Sequence, residues 1–208
     1  MEIKNLQFEF NKSYLRGKTF IYPTDTCYGL GCLLSDTEAI KKIYQIKKRD
    51  AGRPLSIMVS DKKMFKKYCQ ADKNVETLID KYLPGPLTII VPKNKKISNF
   101  FNEGFDSVGI RIPNNKFCLK LIKIAKEPII TTSANVSGEN SLYKPADILN
   151  EFSGKSFSER PDIFFNGGTL RQIKPSTVVK VSGDKLEVLR QGGLCLTEAS
   201  SKGGIKIS

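Results

Sequence analysis

The chain has 208 residues and a formal net charge of +13, from 34 basic and 21 acidic side chains, and it contains no histidine. The lack of histidine excludes Ser-His-Asp and Cys-His catalysis and metal sites built on histidine. No apolar run approaches the roughly 20 residues that span a bilayer, and the N-terminus lacks the apolar core of a signal peptide. These features predict a cytoplasmic protein without membrane contact.

Hydrophobic periodicity and turn residues predict alternating strands and helices along the chain. Apolar positions spaced by three and four indicate helices, and short apolar runs ended by proline indicate strands. In chain order, the predicted elements are a strand at 18–22, a helix at 36–48 with Asp36 as N-cap, a strand at 54–59, helices at 61–68 and 74–82, strands at 87–91 and 107–112, a helix at 114–126, a strand at 129–132, a helix at 145–152, and a hairpin with strands at 177–181 and 185–190.

This pattern predicts the α/β class with a mixed sheet, because strands alternate with helices but a hairpin is also present. Neither a repeat nor a long linker interrupts the sequence, so we expect one domain over residues 1–208. Residues 194–208 are rich in Ser, Gly and Lys and predict a loosely ordered tail. Five cysteines without CxxC spacing indicate buried thiols and favour neither a disulfide framework nor a protein-ligated metal.

The positive charge is concentrated between residues 41 and 67, which hold ten basic and two acidic side chains. Such a field attracts nucleotides or a nucleic-acid backbone. The alternative is a solvated lysine-rich surface, which we favour for the outer lysines Lys62, Lys63, Lys66 and Lys67.

Seven short segments carry small polar or basic residues at predicted strand ends. Strand ends form the mouth of the crevice where α/β proteins bind ligands. The segments are 23–31, 47–49, 84–88, 109–113, 131–135, 175–177 and 190–192.

The order and content of these segments resemble the YrdC/TsaC family of threonylcarbamoyl-AMP synthases, over about residues 20–193. The family signature K-x-R followed by S-x-N is matched by Lys47-x-Arg49 and Ser133-x-Asn135. The resemblance implies a single YrdC-like domain in which helices cover a twisted sheet that carries a basic concave cleft. It also implies condensation of L-threonine, bicarbonate and ATP to threonylcarbamoyl-AMP and pyrophosphate, with Mg²⁺ carried by ATP. The product serves the N6-threonylcarbamoyladenosine modification of tRNA through downstream threonylcarbamoyl transferase proteins, and direct contact with tRNA or other RNA is possible.

The resemblance assigns one group of residues to the nucleotide. Lys47 and Arg49 become the catalytic cations, because charge develops on phosphate oxygens and on the leaving pyrophosphate. Ser133 and Asn135 would donate to phosphate oxygens, and Arg190 would reach the phosphates. Each assignment has a structural alternative. Lys47 and Arg49 could simply be cations favoured at a helix C-terminus. Ser133 and Asn135 could form a turn, and Arg190 could be a surface arginine.

A second group is assigned to threonine and its carbamate: Thr24, Thr26, Tyr28, Arg111, Thr131 and Ser176. Arg111 leaves an apolar strand, where a guanidinium needs an anion, and its fork suits a carboxylate. The alternative for Arg111 is a salt bridge to a nearby acidic residue. This sequence departs from the common family pattern at Asp50, Met58, Lys180 and Gln191, where proline, histidine, an acidic residue and proline are usual.

Two other functions remain open at this stage. One is a non-catalytic module that binds double-stranded RNA or tRNA, although the sequence offers no aromatic platform near the basic window. The other is a carbamoyl-adenylate site that starts from carbamoyl phosphate, as in hydrogenase-maturation proteins, which are much longer chains.

Overall fold

A computed structural model of the protein describes residues 1–50, 52–98, 101–196 and 206–207. Within these ranges, eleven strands belong to one sheet. The strands are β1 (Glu2–Asn5), β2 (Phe20–Pro23), β3 (Tyr28–Leu33), β4 (Ser56–Met58), β5 (Leu87–Pro92), β6 (Ser107–Arg111), β7 (Ile129–Ser133), β8 (Ile163–Asn166), β9 (Thr177–Ser182), β10 (Lys185–Arg190) and β11 (Lys206–Ile207).

The sheet is mixed, as predicted. Its strand order is β1-β8-β2-β3-β7-β4-β6-β5-β9-β10-β11. Strand β8 runs parallel to both β1 and β2, and the pairs β4–β6, β5–β9 and β10–β11 are also parallel. The pairs β2–β3, β3–β7, β4–β7, β5–β6 and β9–β10 are antiparallel. The middle of the sheet therefore consists of strands that are distant in sequence.

Five of the described helices begin after an Asp or Asn that caps them. The described helices are α1 (Lys12–Leu15), α2 (Thr37–Lys47), α3 (Lys62–Tyr68), α4 (Lys73–Tyr82), α5 (Lys116–Ala125), α6 (Pro145–Phe152) and a short 3-10 helix (Phe157–Glu159). The side chains that cap α1 to α5 each accept the amide three residues ahead, which pairs one orphan donor at each helix start; they are Asn11, Asp36, Asp61, Asp72 and Asn115. No described helix is both long and apolar enough to cross a membrane.

Two apolar cores lie on opposite faces of the sheet, because neighbouring residues of one strand join different cores. In β2, for example, Ile21 joins the larger core while Phe20 and Tyr22 join the smaller one. Helices α2, α4 and α6 contribute to the larger core, whereas α5 and α1 cover the smaller one. We call the face that α5 covers the α5 face.

Several elements differ from the sequence prediction. Residues 23–31 were expected to form one strand-end loop, but only 24–27 form a turn, and β3 begins at Tyr28 and pairs with β2. Strands β1, β8 and β11 and helix α1 were not predicted. The expected tail needs correction at its start: Leu196 is buried, and Thr177 Oγ1 donates to Leu194 O over 2.7 Å. Residues 197–205 and 208 lie outside the described residues.

Candidate functional site

A cavity of about 340 Å³ lies on the α5 face, beyond the strands that α5 covers. Its floor is a row of residues that pair directly across four strands: Thr131 of β7, Ser56 of β4, Gly109 of β6 and Ile90 of β5. Paired residues project to the same face, and here most of them are small. At Gly109 a Cβ atom would lie 2.6 Å from Ser56 Oγ, so a side chain at this position would force Ser56 to shift. The cavity thus exists because the central strands lack large side chains on this face.

Hydroxyl groups and guanidinium groups dominate the polar lining. The residues that line the cavity are Thr24, Thr26, Cys27, Gly29, Arg49, Pro54, Leu55, Ser56, Thr88, Ile90, Ser107, Val108, Gly109, Arg111, Thr131, Thr132, Ser133, Ser141, Pro175, Ser176, Val178 and Arg190. Eight of the eleven residues predicted from the sequence are among them, and Lys47, Tyr28 and Asn135 are not.

The turn between β2 and β3 forms one wall and is held by a threonine hydroxyl. Thr24 Oγ1 accepts the amides of Thr26 and Cys27, at 3.0 and 3.3 Å, and donates to Cys27 O over 2.7 Å. Thr26 Oγ1 lies 3.0 Å from Thr24 Oγ1. Because the Thr24 proton is used within the turn, Thr26 must be the donor in the bond between the two hydroxyls, and the Thr26 oxygen keeps lone pairs that can accept from a ligand.

Arg111 forms a buried ion pair at the cavity wall. Its Nη2 donates to both carboxylate oxygens of Asp25, at 2.7 and 2.9 Å, and the two side chains are only 7% and 11% exposed. The Nε atom of Arg111 is buried without a hydrogen-bond partner. The salt bridge that we considered as an alternative is therefore present, and Arg111 also lines the cavity.

A hydroxyl pair lies at the opposite wall. Thr88 Oγ1 and Ser176 Oγ are 3.0 Å apart, and Arg190 Nη2 donates to Ser176 Oγ over 3.1 Å. Arg190 also donates to Ser176 O from Nε and Nη2. Arg190, which we predicted to bind phosphates, thus donates to Ser176, which we predicted to bind threonine.

Arg49 enters the cavity from the loop after α2. Its Nε donates to Arg53 O and its Nη2 to Pro54 O, each over 3.0 Å. Burial lowers the pKa of Arg49, and the neighbouring Arg53 lowers it further. An arginine nevertheless keeps its charge at any physiological pH, so Arg49 presents a fixed cation to the cavity.

Lys47 does not line the cavity. It is the last residue of α2 and is only 1% exposed. Its ammonium group donates to Ser133 O over 2.7 Å and to Asn135 O over 2.5 Å, with Ser133 Oγ at 3.4 Å. Burial, followed by repulsion from Arg49, lowers the pKa of Lys47 to about 8. Lys47 therefore supports the loop that follows β7 from behind.

Two other predicted residues also point away from the cavity. Tyr28 belongs to the larger core on the opposite face, where its hydroxyl donates to Gly168 O over 2.7 Å. This placement follows from the strand parity of β3, which a loop prediction could not provide. Asn135 folds back on its own loop and donates to Val136 O and Glu139 O. Its Oδ1 is buried without a partner.

Sequence reasoning missed several lining or supporting residues. Ser56 lies inside the strand predicted at 54–59 and was given no role, while Asp25 and Thr88 fall within the segments 23–31 and 84–88 but were not assigned to a ligand. The available signal was period-two spacing, because Ser107, Gly109 and Arg111 of β6 alternate with the core residues Val108 and Ile110.

The described residues hold no group of three or more Cys, Asp or Glu side chains that could bind a metal ion. The charged groups that line the cavity are the guanidinium groups of Arg49, Arg111 and Arg190. Guanidinium groups bind carboxylates and phosphates in bidentate fashion, and hydroxyls can donate to the same oxygens. The arrangement can therefore hold oxyanions.

Comparisons with known proteins agree with this architecture. A Methanocaldococcus jannaschii protein, provisionally named threonylcarbamoyl-AMP synthase, is 37% identical over 91% of this chain and 86% of its own length. The Pyrococcus abyssi threonylcarbamoyl-AMP synthase is 33% identical over 88% of this chain, which spans about half of that protein, 52%. The crystal structure of P. abyssi Sua5 with L-threonine superposes with a TM-score of 0.85 at 30% identity, covering 100% of this chain and 63% of that one.

The family model named Sua5/YciO/YrdC, described as telomere recombination, matches residues 13–192. This range contains the turn after β2, all central strands and all three cavity arginines. The chain therefore belongs to the Sua5/YciO/YrdC family.

Proposed function

We propose that this protein is a threonylcarbamoyl-AMP synthase, which condenses L-threonine, bicarbonate and ATP and releases pyrophosphate. The observation that carries the proposal is one cavity that combines three arginines with a ring of threonine and serine hydroxyls. The names of the M. jannaschii and P. abyssi relatives support it, as does the P. abyssi structure that contains L-threonine.

The reactants match this lining in charge. ATP carries about four negative charges, and transfer at its α-phosphorus builds further charge on the equatorial oxygens and on pyrophosphate. Arg49 and Arg190 are the cations proposed for the phosphates, together with the Ser133 hydroxyl. Thr24, Thr26, Thr131 and Arg111 are proposed to hold threonine and its carbamate, and Ser176 is proposed to support that part of the cavity wall, because its hydroxyl is already paired with Arg190 and Thr88. ATP is proposed to bring its own Mg²⁺, bound by phosphates and water.

The proposed chemistry needs no nucleophile from the protein. The threonine amine attacks the carbon of CO₂ derived from bicarbonate and loses a proton to solvent, which gives a carbamate. A carbamate oxygen then forms a bond to the α-phosphorus, while the bond from that phosphorus to the bridging oxygen breaks and pyrophosphate leaves. The protein contributes proximity and charge neutralisation.

The proposed role of Lys47 differs from that of Arg49. Because its ammonium donates to the carbonyls of Ser133 and Asn135, Lys47 is proposed to hold the loop that presents the Ser133 hydroxyl. Within this proposal Lys47 and Asn135 act on the nucleotide through Ser133, and Tyr28 acts by fixing β3. The product is proposed to pass, in the cytoplasm, to transferases that modify tRNA.

The test measures pyrophosphate and threonylcarbamoyl-AMP with all three substrates and with each one omitted in turn. The expected result is product only in the complete mixture, and its loss in Arg49→Ala. Arg53→Ala is the matched control, because the Arg53 side chain is exposed and does not line the cavity. Product formation by Arg49→Ala at the rate of the unaltered protein would refute the role of Arg49. Salt-dependent RNA binding without any turnover would instead favour the RNA-binding module.

A further inference from the structure

The hydroxyls of Thr88 and Ser176 form a buried pair whose protons can be counted. The two residues are 4% and 5% exposed, and their oxygens are 3.0 Å apart. Each hydroxyl has one proton and two acceptor lone pairs. One of the two protons is used in the bond between the hydroxyls, so one proton is left to donate elsewhere.

Arg190 determines whether the proton left to donate belongs to Thr88 or to Ser176. A guanidinium can only donate, so Ser176 Oγ must accept from Arg190 Nη2, 3.1 Å away. If Ser176 also accepted from Thr88, the buried Thr88 oxygen would accept nothing. In the other arrangement Ser176 donates to Thr88, so each oxygen accepts one bond and the Thr88 proton is the one left to donate. Chains of this kind polarise one another, and the charge on Arg190 strengthens the effect.

We infer that Thr88 is a ligand-binding residue whose hydroxyl donates to an anionic oxygen, at the end of a chain that runs from Arg190 through Ser176. Both Thr88 and Ser176 line the cavity, and no other side-chain partner of Thr88 is present among the described residues. The acceptor is a carboxylate or phosphate oxygen, because the charged groups lining the cavity are guanidinium groups. The inference rests on the proposed function, and it names a group that binds one of its reactants.

The strand register explains why Thr88 can serve this role. Thr88 pairs with Val178 of β9, and both side chains lie on the cavity side of the sheet. Its neighbours Leu87 and Ile89 belong to the larger core on the opposite face. A β-branched residue in a paired strand has few rotamers, so the direction of the hydroxyl is fixed before a ligand arrives.

The test is calorimetric titration of the full chain with three separate ligands: L-threonine, Mg²⁺-ATP and inorganic pyrophosphate. Thr88→Val keeps the shape and removes the donor. It should weaken at least one ligand by about 10- to 100-fold, the usual worth of a hydrogen bond to a charged group. Loss for threonine alone identifies a carboxylate, and loss for ATP and pyrophosphate identifies a phosphate. Thr88→Ser should restore most of the affinity.

Ser176→Ala provides the comparison, because it leaves the Thr88 hydroxyl in place but no longer fixes its proton. Its effect should be several-fold and smaller than that of Thr88→Val. Thr77→Val is the matched control, because Thr77 is an exposed residue of α4 that donates to Lys73 O. Three results would overturn the inference. Thr88→Val could bind all three ligands as tightly as the unaltered chain, or Ser176→Ala could lose more affinity than Thr88→Val. The third is that the unaltered chain binds none of the three ligands. Intact ligand binding without product formation would count against the proposed function alone.

Discussion

The ion pair between Asp25 and Arg111 should be a major determinant of stability. Asp25→Ala leaves a guanidinium that is 93% buried without its counter-ion, since the side chain of Arg111 is 7% exposed. Removing one partner of a buried pair costs about 3–5 kcal/mol, mainly because the remaining charge is uncompensated. For a chain of this length that corresponds to a melting temperature lower by roughly 6–20 °C.

Urea unfolding at pH 7 measures this cost, with Arg111→Met and the double variant completing a thermodynamic cycle. The double variant should be more stable than Asp25→Ala, because it no longer contains an unpaired buried charge. Asp80→Ala is the matched control, since the Lys62–Asp80 pair is 37% and 62% exposed and should contribute at most about 1 kcal/mol. If Asp25→Ala were no more destabilising than Asp80→Ala, the argument from burial would be wrong.

Three further outcomes follow from the structure. The folded-state pKa of Lys47, about 8, is below its ordinary value. Between pH 8 and 10 the unfolded state therefore binds more protons, and the contribution of Lys47 to the free energy of unfolding should rise with pH. The difference in unfolding free energy between the unaltered chain and Lys47→Met should grow over this range, and a constant difference would contradict the shift. Gly109→Ala places a Cβ atom 2.6 Å from Ser56 Oγ and should lower the free energy of unfolding in urea by about 1–3 kcal/mol. Gly104→Ala is the control, because nothing lies within 4 Å of its Cβ position and φ is +79°. It should cost only the backbone strain, about 1 kcal/mol. Burial raises the pKa of the Cys27 thiol, so a thiol reagent at pH 8 should modify the exposed Cys195 first and Cys27 only slowly; fast modification of Cys27 would show that the cavity is more open than described.

The sequence predicted helices better than strands, for local reasons. Helix α6 has the predicted bounds, and Asp36 caps α2 as expected. Strand β3 was missed because its glycines resemble turn residues, whereas here they allow close packing of neighbouring strands: a Cβ at Gly31 would lie 2.1 Å from Ile130 O. Strand β8 has only four residues, and its place between β1 and β2 depends on pairing with strands more than 130 residues away.

The sequence predicted which types of residue line the site, but not which way each side chain points. Arg49, Arg111 and Arg190 all line the cavity. The resemblance pointed to Arg49 and Arg190, whereas Arg111 was indicated by its place in an apolar strand, where a guanidinium needs an anion. Lys47 and Tyr28 do not line the cavity, because the directions of their side chains depend on where α2 ends and on which face of β3 a residue lies. Strand parity could not be applied to Tyr28, because its segment was assigned as a loop.

The row that forms the cavity floor also limits how the protein can move. Strands β7, β4, β6 and β5 are each hydrogen-bonded to neighbours on both sides, so the floor cannot open without breaking the ladders of the central sheet. Entry and exit of reactants must therefore depend on the loops at the rim, such as residues 134–144, which follow β7 and include Ser141. Substitutions in those loops should alter the rate of exchange, while substitutions in the floor should alter which molecules fit.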